Sequence, residues 1–193
     1  MPDLSDSALF PAFGELPPAV TALVGSGSDT TVTSAASTSS WVLLAQIKEN
    51  MTITKPTLIV TDRTGVDFAV MFEDARVSLK GFRKGYTMVI PAARRTDKGE
   101  GKKAIVRIEE GGDAGVRVIP GSLEQVFELA KVADSDTVGQ QCAACGKADG
   151  PLMKCTGCST AAYCSKACQA KGWSDLGHKS NCKALKSIKE IWT

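Results

Sequence analysis

Six short runs of apolar residues punctuate the chain between residues 41 and 119, at 41–47, 57–61, 66–72, 86–90, 104–108 and 116–119. Each is rich in valine, isoleucine or aromatics and bounded by turn residues, the texture of β-strands. The second and third are joined by Asp62-Arg63-Thr64-Gly65, a hairpin-turn sequence. Beyond Pro120-Gly121 the period lengthens. Leu123, Val126, Phe127 and Ala130 share one helical face, with Ser122 placed as N-cap and Gln125 three residues on. Upstream, 25–40 is rich in Ser, Thr and Gly and buries too little apolar surface to offset its ordering entropy. Residues 1–40, including 9–13 and the Pro17-Pro18 pair, are therefore expected to be a disordered or weakly ordered tail. A β-rich domain is expected over 41–133, a polar linker over 134–141, and an independently folding unit over 142–193.

Five or six short strands with one helix predict a mainly β domain, either a small barrel or a compact antiparallel sheet. The order of elements resembles an OB-fold barrel, and 81–90 (GFRKGYTMVI) is like the lead-in to the fourth strand of such barrels. That resemblance implies nucleic-acid contact through the following loop, where Arg94, Arg95, Lys98, Lys102 and Lys103 would meet phosphates. The plainer reading is a solvated hairpin tip, since Asp97 and Glu100 dilute the loop's charge and few aromatics are placed to stack on bases.

Charge separates the two halves. From Cys142 onward eight lysines oppose Asp149, Asp175 and Glu190, a local charge of +5, which leaves −3 on the remainder of a chain whose net charge is +2. The longest apolar stretch, 41–47, is broken by Gln46 and too short for a bilayer, and Met1-Pro2-Asp3 offers no basic leader. An intracellular protein, in nucleus or cytoplasm, is the expectation.

All seven cysteines lie between 142 and 182, and the only histidine, His178, sits among them. An odd cysteine count argues against a closed disulfide framework. Seven thiols and one imidazole make eight ligands, enough for two tetrahedral zinc sites. They run Cys142-x2-Cys145-x9-Cys155-x2-Cys158-x5-Cys164-x3-Cys168-x9-His178-x3-Cys182, and each close pair can turn onto one metal from a tight knuckle or a first helical turn. Sequential and interleaved pairings satisfy the count equally. Ser165 is placed to cap a helix over 166–172. A second helix from 179 puts Cys182, Leu185, Ile188 and Ile191 on one face and Lys179, Lys183, Lys186 and Lys189 on others, as a solvated face or one that meets an acidic partner.

These spacings, with the run 162–169 (AYCSKACQ) and Trp173, His178, Lys179 and Cys182, resemble the MYND finger family over 142–182. The resemblance implies interleaved sites: Cys142, Cys145, Cys164 and Cys168 on one zinc, and Cys155, Cys158, His178 and Cys182 on the other. It also implies a short extended peptide, often proline-containing, lying beside the zinc-held hairpin against Ala162, Tyr163, Ser165, Gln169 and Trp173. The gap from Cys168 to His178 is about two residues longer than usual in the family, so Leu176-Gly177 is expected to loop out. Four protein ligands per ion read as structural metal, and with every cysteine and the one histidine engaged no thiol nucleophile or imidazole base is left. There is no phosphate loop or dinucleotide fingerprint. The sequence thus predicts a non-enzymatic adaptor with two Zn2+ and a protein partner, with a role in transcriptional regulation as many of that family have, and with nucleic acid as the alternative ligand.

Overall fold

The computed structural model describes residues 1–19, 41–135 and 137–192, so 25–40 lies outside the described residues. Seven strands follow from Val42: β1 (Val42–Asn50), β2 (Thr57–Thr61), β3 (Asp67–Phe72), β4 (Thr87–Pro91), β5 (Arg95–Thr96), β6 (Ile105–Ile108) and β7 (Arg117–Ile119). Six of them coincide with the six apolar runs. β5 does not: two residues long and polar, it carries no hydrophobic signature.

The strands form one sheet in the order β5-β6-β3-β2-β1-β4-β7. Neighbours are antiparallel except β3 and β6, which run parallel with Ala69 opposite Ile105 and Phe72 opposite Ile108. The end strands β5 and β7 are not hydrogen-bonded to each other, so the expected OB-like barrel is not seen and the sheet stays open. A cavity of about 530 Å³ lies between β4, β5 and β6, lined by Pro91, Arg94, Thr96, Arg107, Ile108 and Val116. The purely antiparallel alternative is corrected too, by the β3–β6 pair.

Strands β1 and β4 are buried on both faces, which is why their sequences read as continuous apolar runs, whereas β2 and β3 alternate between buried positions and half-buried or exposed ones. Leu43, Ala45, Met88 and Ile90 point into a cluster with Leu58, Val60, Phe68, Val70, Phe72 and Val106. Leu44 and Val89 point the other way, into a second cluster. That second cluster contains α1 (Leu123–Asp134), whose Ser122 hydroxyl accepts the Gln125 N–H at 3.1 Å as the expected N-cap.

The linker expectation meets a different packing. The C-terminal unit comprises β8 (Met153–Lys154), β9 (Ala162–Tyr163), α2 (Lys166–Ser174) and α3 (His178–Trp192). Its α3 lies against α1 and β7, and Ala184, Leu185 and Ile188 share one apolar cluster with Ile119, Leu123, Val126 and Leu129. The Gln125 Nε2 donates to Asn181 Oδ1 across the same contact, at 2.5 Å. A continuous apolar contact therefore joins body and finger, although residues 137–140 between them form a turn at the surface as a linker should.

Residues 1–19 are also not a weak tail. Leu4, Phe10, Ala12, Phe13 and Leu16 are all buried. Phe13 stacks on Phe68 with centroids 4.1 Å apart, and Phe10 meets Trp192 edge-on at 6.1 Å. The segment thus touches both clusters, and its end adds to the sheet: Arg95 N–H donates to Pro17 C=O and Ala19 N–H donates to Arg95 C=O. This also covers the outer edge of β5. Asp62, in the turn between β2 and β3, anchors the segment by accepting from the Phe13 N–H at 2.8 Å and from the Thr64 and Val66 N–H groups. Burial pushes its carboxyl up, but the Thr64 hydroxyl and the Phe13, Val66 and Thr64 N–H donors outweigh that and hold it below its ordinary value.

Candidate metal centre

Each ligand is delivered by a short local device. Cys142 and Cys145 form one knuckle, closed by the Gly146 N–H donating to Cys142 C=O, and Cys155 and Cys158 form a second, closed by the Ser159 N–H donating to Cys155 C=O. Cys164 follows β9, and Cys168 lies in the first turn of α2, where the Ser165 hydroxyl caps the helix by accepting the Cys168 N–H at 3.1 Å. His178 opens α3 and Cys182 comes one turn later on the same face. Between the helices Leu176-Gly177 does loop out, Gly177 taking φ 71°, a left-handed conformation that suits glycine.

The structure resolves the pairing the spacing left open. The ligand atoms of Cys142, Cys145, Cys164 and Cys168 lie within 4.8 Å of one another, as do those of Cys155, Cys158, His178 and Cys182. The sites therefore interleave. The distances can be tested against zinc. Tetrahedral geometry with Zn–S near 2.3 Å and Zn–N near 2.0–2.1 Å requires about 3.8 Å between sulfurs and about 3.6 Å between sulfur and nitrogen. Observed separations are 3.7 Å for Cys145–Cys164, 3.6 Å for Cys164–Cys168 and 3.8 Å for Cys155–Cys182, with His178 Nε2 at 3.7 Å from Cys158 and 3.3 Å from Cys155. No pair approaches the ~2.05 Å of a disulfide. A set of four sulfurs and a set of three sulfurs with one nitrogen, both of this span, fit two zinc ions.

Thiol acidity explains why a cation belongs there. Burial pushes Cys142 up, but the Cys164, Ala144 and Cys145 N–H groups outweigh it and bring the thiol to about 6. Cys155 behaves alike: burial opposes ionisation, while the Cys158 N–H, His178 and the Gly157 N–H bring it to about 6. Their neighbours are pushed the other way. Hydrogen bonds with Cys168, Cys145 and Cys142 raise Cys164 to about 12, and burial together with Cys155 and Cys158 raises Cys182 to about 12. In each cluster one thiol is drawn down while a neighbour is pushed up, so a second thiolate beside the first is opposed, an opposition that a cation between them would relieve.

The two sites differ in shelter. All four ligands of the histidine-containing set are buried, whereas in the all-cysteine set only Cys142 is, and Cys145 is exposed. Tyr163 and Trp173 flank the His178 ring edge-on, at 6.0 and 5.8 Å.

Of the residues expected to meet a peptide, Ala162 and Tyr163 are each 1% exposed, so their side chains face the interior. Ser165 is engaged as a cap and Gln169 is half-buried on α2, while Trp173 is 40% exposed. In the basic loop, Arg94 lies 5.6 Å over the Trp41 ring and donates to Pro18 C=O, and Arg95 donates to Gly14 C=O and pairs with Asp97. Lys98, Lys102 and Lys103 are exposed, Lys98 and Lys103 lying within the fields of Glu73 and Asp67.

Two glycines that sequence reasoning passes over matter here. A Cβ on Gly157 would lie 2.8 Å from Cys182 Sγ, and one on Gly172 would lie 2.4 Å from Tyr163 Cε1. The available signal is a glycine inside the second knuckle and another mid-helix, where its cost calls for a packing reason.

Comparison with known proteins converges on the same segment. The MYND finger family model matches residues 142–182. Human histone-lysine N-methyltransferase SMYD3 is 47% identical over 61 residues, covering 32% of this chain and 14% of that protein. Arabidopsis thaliana ubiquitin carboxyl-terminal hydrolase 19 is 45% identical over 53 residues, 28% of this chain and 7% of that protein. Caenorhabditis elegans SET domain-containing protein 14 is 37% identical over 68 residues, 35% of this chain and 15% of that protein. The chain thus spans only a small fraction of the length of these relatives. With its ligand spacing, its interleaved clusters and this match, the segment 142–182 is a MYND zinc finger, a protein-interaction module.

Proposed function

We propose that the protein is a non-enzymatic adaptor whose finger binds a short extended, proline-containing peptide of a protein partner. The observation that carries this reading is the exposed Trp173 ring on α2, at i+4 from Gln169 and i+8 from the N-cap Ser165 and so on their side of the helix, a surface held in place by two four-ligand sites. An indole fixed at 40% exposure offers a flat apolar platform at low entropic cost. Strand β8, an edge of the two-stranded sheet with both residues exposed, Met153 among them, is where an extended peptide can lengthen that sheet. Because the side chains of Ala162 and Tyr163 are buried, they support this surface rather than form it.

An enzymatic role has little support. Four protein ligands on each ion leave no open coordination position for water or substrate. The chain's only histidine and all its cysteines belong to these sets. The name of the human relative, a histone-lysine N-methyltransferase, supports a chromatin-linked and transcriptional setting, and with it an intracellular location. No described helix is long and apolar enough to cross a membrane. The 94–103 loop is not assigned the function, since its two arginines are engaged with Trp41, Gly14, Pro18 and Asp97.

The test is an amide and indole chemical-shift titration of the zinc-loaded chain with a proline-rich peptide and, separately, a mixed single-stranded oligonucleotide. Peptide-induced shifts at Ser165, Gln169, Trp173 and β8, abolished in Trp173→Ala, are expected. Shifts confined to 94–103, and only with the oligonucleotide, would overturn the reading.

A further inference from the structure

Trp173 also lines a second feature. At the junction of α2 and α3 lies a groove of about 1060 Å³ bounded by Gly157, Trp173, Gly177, Lys179, Lys183 and Lys186. Leu176, 51% exposed, sits in the turn beside it. The indole gives the groove an apolar wall. Along the other side the three lysines follow α3 at i, i+4 and i+7, so they form one row about 10 Å long. Lys186 pairs with Glu190 at 3.6 Å, while Lys179 and Lys183 have no ion-pair partner among the described residues.

We propose that this groove docks an acidic segment of the partner protein, with one bulky apolar side chain seated against Trp173 and carboxylates facing Lys179 and Lys183. The proposal rests on the finger being a protein-interaction module and adds a surface and a partner chemistry to it. Charge complementarity is the argument. The zinc-loaded finger carries about +2 once its seven thiolates and two Zn2+ are counted with its lysines and acidic side chains, its lysine row flanks an apolar wall, and two of the three cations lack a counter-charge among the described residues. Same-face side chains of an extended chain are nearly 7 Å apart, close to the ~6 Å between Lys179 and Lys183 along the helix. A nucleic-acid backbone suits the groove less. The segment 142–193 contains no arginine to fork onto phosphate.

The test uses the full zinc-loaded chain and three probes: a twelve-residue Asp/Glu peptide with one leucine, its Asn/Gln counterpart, and an oligothymidylate of equal charge. The acidic peptide is expected to move the Trp173 indole, Gly177, Lys179 and Lys183 signals. Its Kd should rise at least about fivefold between 50 and 300 mM salt, as exposed charge pairs are screened. Lys179→Gln combined with Lys183→Gln should weaken it about tenfold while two zinc ions per chain are retained. If that variant loses zinc, the salt dependence and the Asn/Gln comparison on the unmodified protein decide. Equal binding of the Asn/Gln peptide, preferential binding of the oligonucleotide, or silence at these signals would each overturn the proposal. Should a proline-rich peptide still move Ser165 and Gln169 while the groove stays silent, the groove alone is removed and the interaction module stands.

Discussion

The two zinc sites sit in one forty-one-residue finger and are chemically similar, yet their surroundings differ. The all-cysteine set holds a knuckle, β9 and the start of α2, and three of its four cysteines are at least partly exposed. The histidine-containing set is fully buried and takes His178 and Cys182 from α3, the helix that packs on α1 and β7. One ion therefore fixes a local shape, and the other fixes the orientation of a helix whose buried side, continuing from Cys182 through Leu185 and Ile188, completes the core of the body. Ligand chemistry alone does not reveal this; which helix carries the ligand does.

The largest effect should come from Cys182→Ser. Native mass spectrometry should find one zinc in place of two, and because α3 loses its metal anchor the unfolding of the sheet should also move, by more than about 4 kcal/mol in urea denaturation. Cys145→Ser should likewise cost one zinc, yet leave the sheet's transition largely in place, since none of the four ligands in its set is on α3. Equal displacement of the sheet's transition by both variants would erase the distinction.

Ile188→Ala probes the same coupling without touching metal. The side chain is fully buried between α3 and the body, so its loss should cost about 2–5 kcal/mol. Zinc stoichiometry should remain two. Gly172→Ala sets a methyl against the Tyr163 ring, and overpacking of about 1–3 kcal/mol should appear as a lowered melting temperature of the finger. Asp62→Asn should cost a comparable amount, about 1–3 kcal/mol at neutral pH, because one of the two accepting oxygens is replaced by a donor. Its sign with pH follows from the lowered folded pKa: the stabilisation is present above the unfolded value near 3.9 and drains as pH falls through the lower folded value. A carboxyl 13C titration finding Asp62 at or above about 3.9 would contradict it.

Legibility from sequence divided along physical lines. The six longer strands, α1 with its Ser122 cap, α2 with its Ser165 cap and the eight ligands were readable, because period, capping and metal chemistry are local. What escaped reading depends on distant partners. Leu4, Phe10 and Phe13 gave no periodic signal, since the segment that carries them is irregular and gains order only by covering the sheet and Trp192. β5 is a strand because Ile105 and Val106 on one side and Pro17 to Ala19 on the other supply its hydrogen bonds. The polar turn after α1 read as a domain boundary because contact between α3 and α1 is invisible to local pattern. Ala162 and Tyr163 looked like peptide contacts by family resemblance, and burial turned them inward.

The most direct test is stepwise chelation of the intact protein, counting zinc by native mass spectrometry while following the methyl signals of Ile119, Val126 and Ile188. The account predicts that the first zinc leaves the accessible all-cysteine set with those methyls unmoved, and that departure of the second is accompanied by their loss from native positions. Departure of the second zinc with all three methyls unchanged would show that finger and body are independent, and would contradict it.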